Sequence, residues 1–150
     1  MNKPSATRIF ALDYGLARIG MAVSDPTKII AFPVGTLKAE KKTEATVDKL
    51  VKELEAHQKA NGYTILELVI GLPLMMSGKS GFLADEVKHF VSLLQPLVSF
   101  PLVLWDERLT SVQADRALRE TSLTRKRRSA VIDKVAAVII LQNYLDSKIS

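Results

Sequence analysis

The apolar pattern of this chain changes its period in an order that few folds accommodate: three strand-like runs come first, then helical and strand-like stretches alternate. Arg8–Leu12 is a short apolar strand ending at Asp13, Tyr14-Gly15 begins a turn, and Arg18–Ser24 reads as the returning strand of a hairpin. Ile29–Leu37 is a third strand, broken by Pro33 and expected at a sheet edge, because proline cannot donate to a ladder. Thr43–Ala60 carries Val47, Leu50, Val51 and Leu54 at helical spacing. Ile65–Ile70 is a buried strand closed by Gly71-Leu72-Pro73, Gly81–Leu94 a second helix stopped near Pro96, and Pro101–Trp105 a further strand. Ser111–Glu120 is predicted helical, Thr121–Arg128 a polar, basic loop, and Ala130–Asp146 a last helix with an apolar middle. A meander followed by crossover helices predicts an α/β fold, a mixed sheet with helices on its faces.

A length of 150 residues suits one domain spanning 1–150, and 47% apolar with 25% charged residues excludes disordered and fibrous classes. Without cysteine the chain has no disulfide, no thiolate metal site and no cysteine nucleophile. The longest unbroken apolar stretch, Val135–Leu141, is 7 residues. A bilayer span needs roughly 20, so a soluble, cytoplasmic protein with no membrane partner is expected. The net charge of +5 is concentrated: Arg116, Arg119, Arg125, Lys126, Arg127, Arg128 and Lys134 outweigh Glu120 and Asp133, leaving the rest of the chain neutral. Such a segment suits a polyanionic partner or a solvated loop.

Ligands on open α/β sheets gather at the carboxyl ends of strands, which singles out Asp13 and the Asp106-Glu107 pair. Each also has an ordinary role. Asp13 suits the turn through Gly15, while Asp106 and Glu107 suit pairing with Arg108, and Thr110 with Gln113 makes a capping box. Asp133 shares a helical face with Ala136, Ala137, Ile140 and Tyr144, and as a first-turn acid it also suits the helix N-terminus. Carboxylates brought into one cleft repel unless a cation sits among them. Mg²⁺ prefers oxygen ligands, and a pair of such ions roughly 3.5–4 Å apart serves phosphodiester cleavage. The basic segment would hold a polyanion over that cleft. Composition and spacing reach metal-dependent phosphate chemistry and no further.

Four blocks carry a resemblance to a known family: ALDYGLARIGMAVSD (Ala11–Asp25), GLPLMMSGKSG (Gly71–Gly81), DERLTSVQADRAL (Asp106–Leu118) and DKVAAVIILQNYL (Asp133–Leu145). In this order and spacing the chain resembles the YqgF/RuvX family, described as Holliday-junction resolvases and as pre-16S ribosomal RNA nucleases. The resemblance covers Ile9 to about Tyr144 and implies a ribonuclease-H-like five-stranded sheet with a nuclease site using Mg²⁺ or Mn²⁺, two ions. It makes Asp13 and Asp133 metal ligands and draws a third from the Asp106-Glu107 pair, only one of which lines the centre because adjacent strand residues point to opposite faces; the resemblance favours Glu107, with Asp106 supporting it. Arg18, Arg108 and Lys134 match family positions and would contact phosphate, as would Arg125, Lys126, Arg127 and Arg128. The implied partners are RNA or branched DNA, including ribosomal precursor particles, and the chain would act as a monomer or homodimer.

The chain departs from the family where Met75 and Ser77 replace an asparagine and an acid, which bears on substrate positioning. The residues left over suggest little chemistry: His57 and His89 read as surface histidines, Trp105 as packing or a base-stacking ring, and Met75 and Met76 as an apolar contact. Two other functions compete with the nuclease. One is a non-catalytic nucleic-acid-binding accessory factor. The other is a phosphotransferase of the actin-like type, which closes two such domains around a nucleotide and for which the chain is short.

Overall fold

The computed structural model describes residues 6–75, 77–109 and 125–149, and of Leu109 and residues 125–134 the backbone alone. Five strands form one sheet in the order β3-β2-β1-β4-β5: β1 Ala6–Tyr14, β2 Arg18–Ser24, β3 Ala31–Lys38, β4 Tyr63–Leu72 and β5 Leu102–Asp106. β1 and β2 make the predicted antiparallel hairpin, and β3 adds antiparallel to β2 at the edge, with Pro33 opposite Ala22 at a register shift. β4 runs parallel to β1 and β5 parallel to β4. The α-helices among the described residues are α1 Thr43–Asn61, α2 Phe82–Leu94 and α3 Arg125–Ile149. The mixed α/β sheet read from the sequence is the one observed.

The pleat of β1 divides the core in two. Phe10, Leu12 and Tyr14 pack with Val47, Leu50 and Leu54 of α1 and Val87, Phe90 and Leu94 of α2. Ile9 and Ala11 point the other way, with Ala22, Ala31 and Val69, into Ala136, Ala137, Ile140, Leu141, Tyr144 and Leu145 of α3. Alanine faces alanine across this second layer, so α3 lies close to the sheet, because interaxial distance follows side-chain size. Polar contacts fix its register. The Gln142 amide accepts from the Ala31 N–H at 2.9 Å and donates to the Ile29 carbonyl at 2.8 Å. The Tyr144 hydroxyl donates to Glu67 Oε1 at 2.6 Å.

Two expectations change. Arg125–Arg128, read as loop, belong to α3, which starts ahead of the predicted Ala130. That expectation rested on charge density, whereas arginine, lysine and alanine are among the stronger helix formers and no glycine or proline interrupts the run. The predicted 111–120 helix and the Thr110–Gln113 capping box lie outside the described residues. No helix among the described residues is long and apolar enough to cross a membrane.

His57 is the second change. It is half-buried rather than a surface side chain, sharing a 2.7 Å hydrogen bond with the Tyr63 hydroxyl and packing edge-on against Phe10. Burial lowers its pKa below the usual 6.5; nearby Glu53 opposes and Arg8 reinforces the shift. The folded state therefore binds its proton less readily than the unfolded chain, so this contribution to stability is lost as pH falls below about 6.5. Urea midpoints between pH 7.5 and 5.5 should fall for the wild type and fall less for His57→Gln.

Candidate active site

Asp13 continues the Ile9-Ala11 side of β1, the side that faces α3, and is 2% exposed. It pairs with Gly20 of β2 and stands one residue beyond the Leu12↔Ile70 pair of the parallel ladder. Gly71 stands one residue beyond that same pair on β4. β5 gives way after Asp106 to a 3₁₀ turn, Glu107–Leu109, which turns the Glu107 side chain inward to full burial. Its carboxylate lies over Gly71: a Cβ there would be 2.6 Å from Oε1 and 2.7 Å from the Ile140 Cδ1 of α3. Glu107 thus reaches beneath α3 towards the strand next to Asp13. Two acids buried on one face at one end of the sheet are costly unless their charge is compensated.

Asp106 does a different job. Its carboxylate accepts the Arg108 backbone N–H at 2.9 Å, Nε at 3.0 Å and Nη2 at 2.7 Å, and the Arg108 hydrogen bond lowers its pKa. Arg108 in turn lies on the β4–α2 loop, with Nη1 3.3 Å from where a Gly78 Cβ would stand; Gly78 has φ +87°, so its left-handed backbone and its lack of a side chain both suit this seat. Of the two adjacent acids, Glu107 is therefore the interior one and Asp106 the one that orients a cation. If Arg108 contacts phosphate as the family resemblance implies, Asp106→Asn should weaken nucleic-acid binding several-fold while leaving the turnover of bound substrate largely intact, read as a KM against kcat split.

Arg18 opens β2 with the parity of Gly20 and so belongs to the Asp13 face, partly buried opposite Lys38. Asp133, Lys134, Arg125, Lys126, Arg127 and Arg128 all lie in α3, but their side chains are outside the described residues. Among the described residues no cluster of three His, Cys, Asp or Glu forms, and Asp13 and Glu107 are the two buried acids. Their donors are all carboxylate oxygens, the set that a hard cation such as Mg²⁺ or Mn²⁺ takes.

Trp105 turns into the α3 layer, edge-on to Tyr144 with ring centroids 5.5 Å apart, so its role is packing. Gly71, which the sequence pattern places at the close of a strand, lies inside β4 and carries the Glu107 seat. Its signal was available, because a glycine within a strand marks close approach of another group.

The family model for RuvX, Holliday junction resolvase, matches residues 7–147. A "Putative pre-16S rRNA nuclease" of Protochlamydia amoebophila (strain UWE25) is 58% identical over 147 residues, 98% of each chain. The protein of the same description from Roseiflexus sp. (strain RS-1) is 41% identical over 143 residues, 94% of this chain and 95% of that one. Among solved structures, the RuvC of T. thermophilus in complex with Holliday junction substrate is similar with a TM-score of 0.57 at 12% identity, covering 96% of both chains. That likeness establishes a RuvC-like, ribonuclease-H-like fold.

Proposed function

The chain belongs to the RuvX family, and on that basis we propose that it is an endonuclease that processes the precursor of 16S ribosomal RNA with Mg²⁺ or Mn²⁺. The observation that carries this reading is the pair of fully buried carboxylates, Asp13 and Glu107, at the carboxyl ends of β1 and β5 on the α3 side. Asp13, Glu107 and Asp133 would hold the metal. Bound there, a pair of such ions would supply water activation and stabilisation of the leaving oxygen in phosphodiester cleavage. The protein's own side chains bind and orient. Arg18 and Arg108, with Arg125, Lys126, Arg127, Arg128 and Lys134 along α3, neutralise backbone phosphates, and Asp106 holds the Arg108 guanidinium at one angle. Burial of Asp13 and Glu107 keeps bulk water from screening them.

The RuvX model's description and the RuvC fold favour a second reading, resolution of a four-way DNA junction. Such a junction would engage two copies of the chain, whereas an RNA leader needs one. The test incubates the protein with a precursor 16S leader, single-stranded RNA, duplex DNA and a four-way DNA junction in Mg²⁺, Mn²⁺ or EDTA. Metal-dependent cutting of the leader is expected. Preferential cutting of the junction would install the second reading, and binding without cutting in any metal would make the protein an accessory factor.

A further inference from the structure

Three apolar side chains stand in solvent at the end of the sheet where the acids collect: Leu16 at 57% exposure, Met75 at 56% and Phe82 at 70%. Leu16 lies in the β1–β2 turn, three residues after Asp13. Met75 follows β4, whose last residue Leu72 pairs with Asp106, and its Cγ lies 3.6 Å from where a Gly81 Cβ would stand. Arg108, seated on Gly78, ties this loop to the 106–108 turn.

The run of α2, on the face of the sheet opposite Asp13, carries Phe82 to the same end, next to the Gly81 that Met75 approaches. The Phe90 ring meets Tyr14 at a centroid distance of 4.8 Å, and Glu86, one turn nearer the helix start, acts on the Tyr14 hydroxyl. Phe82 is one turn further again, past the end of β1. It is off the buried stripe of Ala84, Val87, Phe90 and Leu94, so packing does not account for an aromatic residue there. Nucleic acid has one part that suits such a residue on a loop that seats an arginine, the flat apolar face of a base. In continuous duplex that face is covered by its neighbours; in an unpaired nucleotide it is open. Stacking on an aromatic side chain tolerates any base.

We propose that Phe82, beside Met75 on the loop that seats Arg108, is a stacking platform for an unpaired nucleobase of the bound nucleic acid. The site then selects nucleic acid with an unpaired nucleotide at that point over continuous duplex. This inference rests on the nuclease reading above and names a feature of its substrate.

The experiment uses an RNA hairpin with a single-stranded extension, 2-aminopurine being placed at each extension position in turn, in EDTA so that nothing is cut. An abasic nucleotide at the responding position provides the comparison. Wild type should quench the fluorescence at one position. The abasic substitution should weaken binding roughly 5- to 150-fold. Phe82→Ala should lose the quench and a similar factor in affinity, Phe82→Trp should keep both, and Phe82→Ala combined with the abasic site should cost no more than either change alone. Equal affinity of the wild type for the base-bearing and abasic RNAs, or losses that multiply, would overturn the platform. Quenching with no metal-dependent cleavage would overturn the nuclease reading and leave the platform standing. Absence of binding to any RNA would overturn both.

Discussion

Glu107→Gln is expected to fold as well as the wild type and to lose cleavage by more than about a hundred-fold. Glutamine keeps the shape of the side chain seated over Gly71 but removes the charge that a hard cation requires. Changing a residue that only orients a metal ligand typically costs 10–100-fold, so neutralising a ligand itself should exceed that. The effect on stability has the opposite sign. Burying a charged carboxylate carries a desolvation cost, and replacing it by an amide of equal volume removes part of that cost. The urea midpoint should stay level or rise while activity collapses. A variant that cuts at the wild-type rate would remove Glu107 from the centre.

Gly71→Ala should damage stability and activity together. The new methyl would meet Glu107 Oε1 at 2.6 Å and Ile140 Cδ1 at 2.7 Å, both on fully buried residues. Overpacking of this kind costs about 1–3 kcal/mol, readable in urea. The carboxylate must also leave its seat, and a displacement of about an ångström can cost two orders of magnitude in rate. Activity should therefore fall well beyond what the lost stability explains, as seen in turnover measured where the variant remains folded. Unchanged activity would mean that Glu107 is not held against Gly71 in the working enzyme.

The order of elements is legible in the sequence because the period of the apolar pattern changes at each of them, and Pro33 marks β3 as an edge. What the pattern understates is length. β4 reaches from Tyr63 to Leu72 although Thr64 and Leu66 are exposed and Glu67 only half-buried, since ladder pairing with β1 carries such residues along. The first turn of α3 is hidden by its own charge, which resembles a solvated loop. Asp13 is legible as an acid closing a buried strand. The choice between Asp106 and Glu107 is not, because it depends on where β5 yields to the 3₁₀ turn, a matter of one residue. The seat on Gly71 is hidden for a different reason: it depends on Ile140, far along the chain and on another layer. His57 reads as a surface residue only until β4 brings Tyr63 beside it.

In the proposed function, Asp13 and Glu107 belong to a metal-dependent centre for phosphodiester cleavage. Single-turnover cleavage of a precursor 16S leader by wild type and by Asp13→Asn, each in Mg²⁺ and in EDTA, tests it most directly. Cutting by the wild type in Mg²⁺ alone, with Asp13→Asn folded and inactive, is the predicted result. Cutting that persists in EDTA, or in Asp13→Asn at the wild-type rate, would contradict it.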